Sequence, residues 1–155
     1  MWPRVDELRA FGLGTAGEMR DRLNALVLAG QKVATAGLWR VVADLEARAG
    51  GAAKASIAFR EADRLLAAVR PTRRERLELQ RVWYGWAWSS GRHQEAIGVL
   101  RRMERTAGAV GDMDTAIGAL DQRAHCWQVL GRPGRAEPLH RSAVTLARRY
   151  AKTEQ

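Results

Sequence analysis

Apolar residues recur along most of the chain at intervals of three and four positions, the spacing that places side chains on one face of an α-helix. The spacing predicts helices over about 15–30, 36–49, 52–69, 72–90, 93–108, 113–130 and 134–151. The alternation of apolar and polar positions that marks a half-buried strand is absent from 40–155. The sequence therefore predicts an all-α protein.

Glycine and proline residues mark the ends of several predicted helices. Gly108 and Gly111 are expected to end the helix that begins near residue 93, and Asp112 is expected to cap the next one. Pro138 fits the last helix only if it lies in or near the first turn, where few amide donors are needed. The loops are short throughout, which predicts that successive helices are antiparallel neighbours.

A short phrase recurs at a spacing of 40 residues. Gly91-Arg92-His93-Gln94-Glu95-Ala96-Ile97 is followed by Gly131-Arg132-Pro133-Gly134-Arg135-Ala136-Glu137, each with a Gly-Arg turn and an alanine five positions after the glycine. A weaker match to this glycine turn lies about 40 residues before Gly91, at Gly50-Gly51. A fixed period of this length is typical of helical hairpins stacked as a solenoid, because no single hairpin can bury its apolar face alone. Such proteins usually bind other proteins.

The unit 111–150 carries the residue pattern of a known repeat family. It has apolar residues in the first helix, a turn glycine and small residues in the second helix, at Leu120, Ala124, Trp127, Gly131, Ala136 and Ala143. Residues 73–150, and more weakly those from 33, thereby resemble tetratricopeptide repeats. The resemblance implies a short solenoid of antiparallel helical hairpins that binds a peptide or protein partner.

The preceding unit fits the same family less closely. Gly91, Ala96 and Leu100 match, whereas Met103 replaces a small residue and Gln80 replaces a large apolar one. The 40-residue period is also longer than the family's usual period of about 34. It is similar to the longer-helix versions of the repeat in bacterial regulators.

A second resemblance covers about 11–38. Phe11-Gly12 and the stretch from Asp21 to Ala36 look like the opening of an ASCH domain. Those domains are small β-barrels related to RNA-binding folds, and some are similar to amidohydrolases or ribonucleases that use lysine and threonine in a G-x-K-x-x-T arrangement. Lys32 and Thr35 match this arrangement.

The rest of the chain departs from that family, because no strands are predicted after the first helix. The barrel wall and the carboxylate partner are therefore not expected, and neither is a catalytic role for Lys32 and Thr35. We expect 1–35 to form an ASCH-like segment with one helix rather than a complete barrel, followed by a helical-repeat domain over 36–155.

Composition is ordinary for a soluble globular protein, with 46% hydrophobic and 28% charged residues. The net charge is +9, and only three of the 26 basic residues are lysines. The arginines are dispersed among acids, so a GC-rich genome is a better explanation of their number than a surface for nucleic acid or an acidic partner. Nucleic acid is the less favoured partner.

Other residues argue against secretion, metal binding and catalysis. Cys126 is the only cysteine, so it forms no internal disulfide and is expected to be a small buried hydrophobe. His93, His125 and His140 lack the spacing of a metal site. No apolar run approaches 18 residues, so we expect no membrane span. With the single cysteine, this favours a cytoplasmic protein. We also expect no cofactor, metal or enzymatic activity.

The candidate partner-binding residues come from the tetratricopeptide resemblance, which implies that the first helix of each unit lines a concave groove. They are Glu78, Arg81, Trp88, Asp121, His125 and Gln128. Trp88 also belongs to an aromatic cluster with Trp83, Tyr84 and Trp86, whose rings cannot all enter one core, so that at least one is expected at the surface near Arg81 or Arg92.

The sequence thus predicts a non-enzymatic module that binds a protein or peptide in a concave groove. Self-association is a second way of covering an exposed end of a short repeat array. The alternatives are an RNA- or nucleotide-related protein that uses the ASCH-like segment, and a nonfunctional fused or truncated chain.

Overall fold

The computed structural model describes Asp21 and residues 32–69 and 73–154. Six helices occupy the two long ranges: α1 (Lys32–Arg48), α2 (Ala52–Ala67), α3 (Arg73–Ser89), α4 (His93–Val110), α5 (Met113–Val129) and α6 (Pro133–Thr153). These ranges contain no strand, which confirms the all-α prediction. The predicted helix over 15–30 lies, apart from Asp21, outside the described residues.

The chain divides into two compact units, 1–79 and 80–155, and the division falls inside α3. In the first unit α1 packs directly against α2. Their buried apolar side chains include Val42, Ala43, Ala58, Phe59, Ala62 and Leu66. The predicted domain boundary at residue 35 stays a prediction, since α1 begins at Lys32 and most of the segment before it is not described.

In the second unit α5 packs against both α4 and α6. Buried apolar residues of these three helices include Leu100, Met103, Ala119, Leu120, Ala124, Ala136 and Ala143. The connections are only two or three residues long, so consecutive helices run antiparallel, as the short predicted loops imply. α6 buries only Ala136 and Ala143 completely and leaves one side to solvent.

Four turns share one backbone design. Each contains a glycine in the left-handed region, with φ of 79° at Gly50, 76° at Gly91, 77° at Gly111 and 72° at Gly131. The next residue's N–H donates to a carbonyl five positions back: Gly51 to Glu46 (2.7 Å), Arg92 to Ala87 (2.8 Å), Asp112 to Ala107 (2.9 Å) and Arg132 to Trp127 (2.8 Å). This is the Schellman motif, in which glycine is favoured because it has no Cβ to clash.

A buried alanine follows each of these glycines by five positions. Ala55, Ala96, Ala116 and Ala136 are between 0% and 2% exposed. Because Gly91, Gly111 and Gly131 are 20 residues apart, the structural repeat of the second unit is a single helix with its turn. That is half the 40-residue period of the recurring phrase.

One detail of the sequence-based prediction is wrong. Gly108 does not end α4, which continues through it to Val110 and ends at Gly111. A helical backbone accepts an exposed glycine at a cost of about 1 kcal/mol, and only the left-handed position requires one. Pro138 lies at the start of the second turn of α6, next to the first turn as predicted, because the helix begins at Pro133, where proline is favoured.

Candidate partner-binding surface

The aromatic cluster of α3 divides between core and surface. Trp83 is only 1% exposed, whereas Tyr84, Trp86 and Trp88 are half-buried. The guanidinium of Arg102 on α4 lies 5.3 Å from the centroid of the Trp83 ring, and the Trp88 ring lies 4.4 Å from that of His93. The sequence had suggested Arg81 or Arg92 as the cationic neighbour of a tryptophan, and it missed Arg102 because the two residues belong to different helices.

Polar contacts join α3 directly to α5 within the second unit. Arg81 Nη2 donates to Thr115 Oγ1 at 3.0 Å, and Gln122 Nε2 donates to the Tyr84 hydroxyl at 2.9 Å. Residue numbers rise together on both helices, so α3 and α5 lie side by side and run in the same direction. Alternate helices of a helical-repeat protein have this relationship.

Asp112, the N-cap of α5, fixes the position of Thr115, to which Arg81 donates. Asp112 accepts from the Thr115 backbone N–H at 3.1 Å and from the Thr115 hydroxyl at 2.6 Å. The predicted cap at Asp112 is therefore confirmed. Since the hydroxyl donates its proton to Asp112, its oxygen faces Arg81 as an acceptor.

Tyr84 and Cys126 meet in a neutral contact beneath this surface. The Tyr84 hydroxyl lies 3.8 Å from Cys126 Sγ. Burial, reinforced by the Cys126 contact, raises the pKa of Tyr84 to about 12, and burial also raises the pKa of the Cys126 thiol. Both groups are therefore protonated at neutral pH, and Cys126 lacks the thiolate character of a reactive cysteine.

The six residues proposed from the sequence are distributed unequally between the two units. Glu78 belongs to the first unit, where its carboxylate lies 3.7 Å from Arg40. The other five belong to the second. Among them, Asp121 is directed toward α6, because its carboxylate lies 2.9 Å from Nδ1 of His140.

Of the remaining four, Arg81, His125 and Gln128 are exposed and Trp88 is half-buried. Arg81 and Trp88 are seven positions apart on α3, two helical turns, so Trp88 lies on the side from which Arg81 reaches α5. His125 and Gln128 are exposed on α5, three positions apart. Gln122 is also exposed there, whereas Gln128 is two helical turns after Asp121 and lies on the side of α5 directed toward α6. We therefore define the α3–α5 surface as Arg81, Trp88, Gln122 and His125.

Gln122 was missed by the sequence analysis although a usable signal existed. It lies three positions before His125, which places both on one side of α5. The tetratricopeptide resemblance directed attention to Asp121 instead, one position away.

The two residues of the ASCH-like motif lie on α1 in different surroundings. Lys32 is exposed at the first residue of the helix, whereas Thr35 is 0% exposed. A lysine that acts as a nucleophile or base usually lies in a desolvated pocket, and the exposed Lys32 lacks that environment. The absence of a catalytic role for the pair stays a prediction.

Comparison with known proteins finds no matching family model, curated protein or solved structure. Within the described part of the chain, no three His, Cys, Asp or Glu side chains come together in a group that could hold a metal ion. None of the described helices combines the length and the apolar character needed to cross a membrane.

Proposed function

We propose that this chain is a non-enzymatic helical-repeat module that binds a protein or peptide partner on the α3–α5 surface. The observation that carries the proposal is the pairing of α3 with α5 through Arg81–Thr115 and Tyr84–Gln122. This pairing leaves exposed Arg81 and half-buried Trp88 on α3 beside exposed Gln122 and His125 on α5.

The composition of the surface suits a protein partner. Tryptophan and arginine are the residues most often found at energetic hot spots of protein interfaces. Trp88 is already held by His93, and Arg81 by Thr115, so little side-chain freedom remains to be lost on binding. Arg81 is the only arginine or lysine in the set, whereas a nucleic acid is bound mainly by several cations that contact successive phosphates.

We infer further that the module is of the tetratricopeptide type and acts in the cytoplasm. The family inference is supported by the burial of Leu120, Ala124 and Trp127 at positions where the family has packed residues. The cytoplasmic inference is supported by Cys126, a single buried thiol without a disulfide partner.

Affinity capture from the native lysate tests the binding surface. The Arg81→Ala/Trp88→Ala double variant is expected to lose the captured partner while its far-ultraviolet circular dichroism stays helical. The matched control is Val144→Ala/Arg148→Ala, which removes an exposed apolar residue and an arginine from α6 and is expected to retain the partner.

Retention of the same partner by the Arg81→Ala/Trp88→Ala variant would assign binding to another surface. Loss of the partner from the wild type and from the α6 control on a modest increase in salt would point to the dispersed arginines, because exposed charges are screened by salt.

A further inference from the structure

Two arginines on α4 form a positively charged pair away from the α3–α5 surface. Arg101 and Arg105 are both exposed and are four positions apart, so they lie on one side of the helix. Like charges at this spacing repel each other. Glu104 is the only acidic residue between Ala96 and Val110.

That single carboxylate is already engaged by a third arginine. Nη1 of Arg123 on α5 lies 3.1 Å from Oε2 of Glu104, and the Arg123 side chain is only 10% exposed. Burial lowers the pKa of the Arg123 guanidinium, with Glu104 opposing and the charges of Arg101 and Arg105 lowering it further. The cluster of Arg101, Arg105, Arg123 and Glu104 therefore carries a net charge of about +2, arranged around a partly desolvated cation.

We propose that Arg101 and Arg105, with Arg123 behind them, bind an acidic helical segment of a protein partner whose carboxylates are three or four residues apart. An arginine presents a planar fork that matches a carboxylate in a bidentate arrangement. Side chains four positions apart on a helix are separated by about 6 Å along its axis, so glutamates at that spacing on the partner match the two arginines. The proposal is independent of the α3–α5 surface, since Arg123 faces α4 whereas His125 on the same helix is exposed.

The size of the cluster favours a protein segment over a nucleic acid. The exposed pair spans little more than one helical turn, and Glu104, with 31% of its side chain exposed, adds a negative charge beside it. Nucleic-acid affinity grows with the number of phosphates neutralised, which requires a longer stripe of cations without interposed carboxylates.

The cluster also has a consequence for the free protein. Replacing Arg101 and Arg105 by glutamine removes the repulsion that they exert on each other and on Arg123. The Arg101→Gln/Arg105→Gln variant is therefore expected to unfold at a higher temperature than the wild type while binding the acidic ligand more weakly. If the two arginines were only solvated surface groups, their replacement would not both raise the unfolding temperature and weaken binding of the acidic ligand.

The test uses two alanine-based helical peptides of equal composition as probes. One carries two glutamates four positions apart, and the other carries them two positions apart, which directs them to different sides of the helix. Binding is followed at low salt by the NMR signals of the arginine Nε–H groups, which report weak association residue by residue. The first peptide is expected to shift the Arg101 and Arg105 signals and to bind the Arg101→Gln/Arg105→Gln variant about tenfold more weakly.

Two further variants test whether weaker peptide binding follows from any loss of charge or from loss of the α3–α5 surface. Arg148→Gln/Arg149→Gln removes the same charge from α6 and is expected to bind like the wild type. Arg81→Ala/Trp88→Ala is also expected to bind normally, so a failure of the proposed α3–α5 surface leaves this result unaffected. Absence of binding, equal binding of the two peptides, equal loss in the α6 variant, or displacement of the peptide by a short single-stranded oligonucleotide would each overturn the proposal.

Discussion

At the scale of single residues, burial decides how much an ion pair contributes. Asp63 is 1% exposed and accepts from Arg76 Nε at 2.8 Å and from Arg76 Nη2 at 3.3 Å. Arg64 and Glu61 form a similar two-point contact at the surface. Water solvates the exposed pair well when it separates, but it cannot reach the carboxylate of Asp63 in the folded protein.

Removing Arg76 is therefore expected to destabilise the protein much more than removing Arg64. Arg76→Ala leaves a buried negative charge with one partner fewer and should cost about 2–4 kcal/mol, a little below fully buried pairs because Arg76 is itself 26% exposed. Arg64→Ala should cost under about 0.5 kcal/mol. Urea unfolding measures the free energy of unfolding of the two variants. Equal decreases would show that water solvates the Asp63–Arg76 pair in the folded protein.

Tyr84 predicts a loss of stability in alkaline solution. Its pKa is raised from 10.0 to about 12, so the folded protein holds the phenolic proton more tightly than the unfolded chain. The stabilisation is fully present below pH 10 and is lost as the pH rises toward about 12. Between a pH below 10 and a pH near 12, the denaturation midpoint should fall less in Tyr84→Phe than in the wild type. Tyr150→Phe is the comparison variant, because a hydrogen bond with Glu154, and not burial, is the main cause that raises the pKa of Tyr150.

At the scale of helices and turns, most of the fold was predictable because its signals are local. Apolar spacing predicted six helices with ends within four residues of those observed. The 20-residue interval was missed, because the phrase at Gly111 lacks the arginine that made the other two phrases look alike. The turn itself requires only a left-handed glycine and a small buried residue five positions later.

The turn design predicts opposite effects for two glycine-to-alanine changes. Gly111 has φ of 77° and open space around an added Cβ, so Gly111→Ala should cost about 1–2 kcal/mol from backbone strain alone. Gly98, inside α4, also has open space and a helical backbone, so Gly98→Ala should stabilise the protein by about 0.5–1 kcal/mol. The unfolding temperature should fall in Gly111→Ala and rise in Gly98→Ala. Destabilisation by both changes would contradict the roles assigned to the two glycines.

The buried alanines predict a penalty for added volume. Ala136 is 1% exposed, so Ala136→Leu should overpack the junction of α5 and α6 and cost about 1–3 kcal/mol. Ala151 lies exposed on the same helix, and Ala151→Leu should change stability by less than about 0.5 kcal/mol. An unchanged denaturation midpoint in Ala136→Leu would mean that the helix register is wrong.

At the scale of the whole molecule, the candidate site was only partly predictable. Helical spacing with the repeat resemblance selected Arg81, Trp88, His125 and Gln128, which lie on exposed or half-exposed sides of α3 and α5. The contacts of Arg81 with Thr115 and of Arg102 with Trp83 depend on how separate helices pack, and no local pattern encodes them. The charge cluster around Arg123 was missed for the same reason.

The most direct test of the central claim is hydroxyl-radical footprinting of the protein with and without its captured partner. Binding on the α3–α5 surface predicts that the oxidation of Trp88 and His125 falls in the complex, while that of Tyr150 on α6 stays unchanged. Protection of Tyr150 with unchanged oxidation of Trp88 and His125 would contradict the claim and move the binding site to α6.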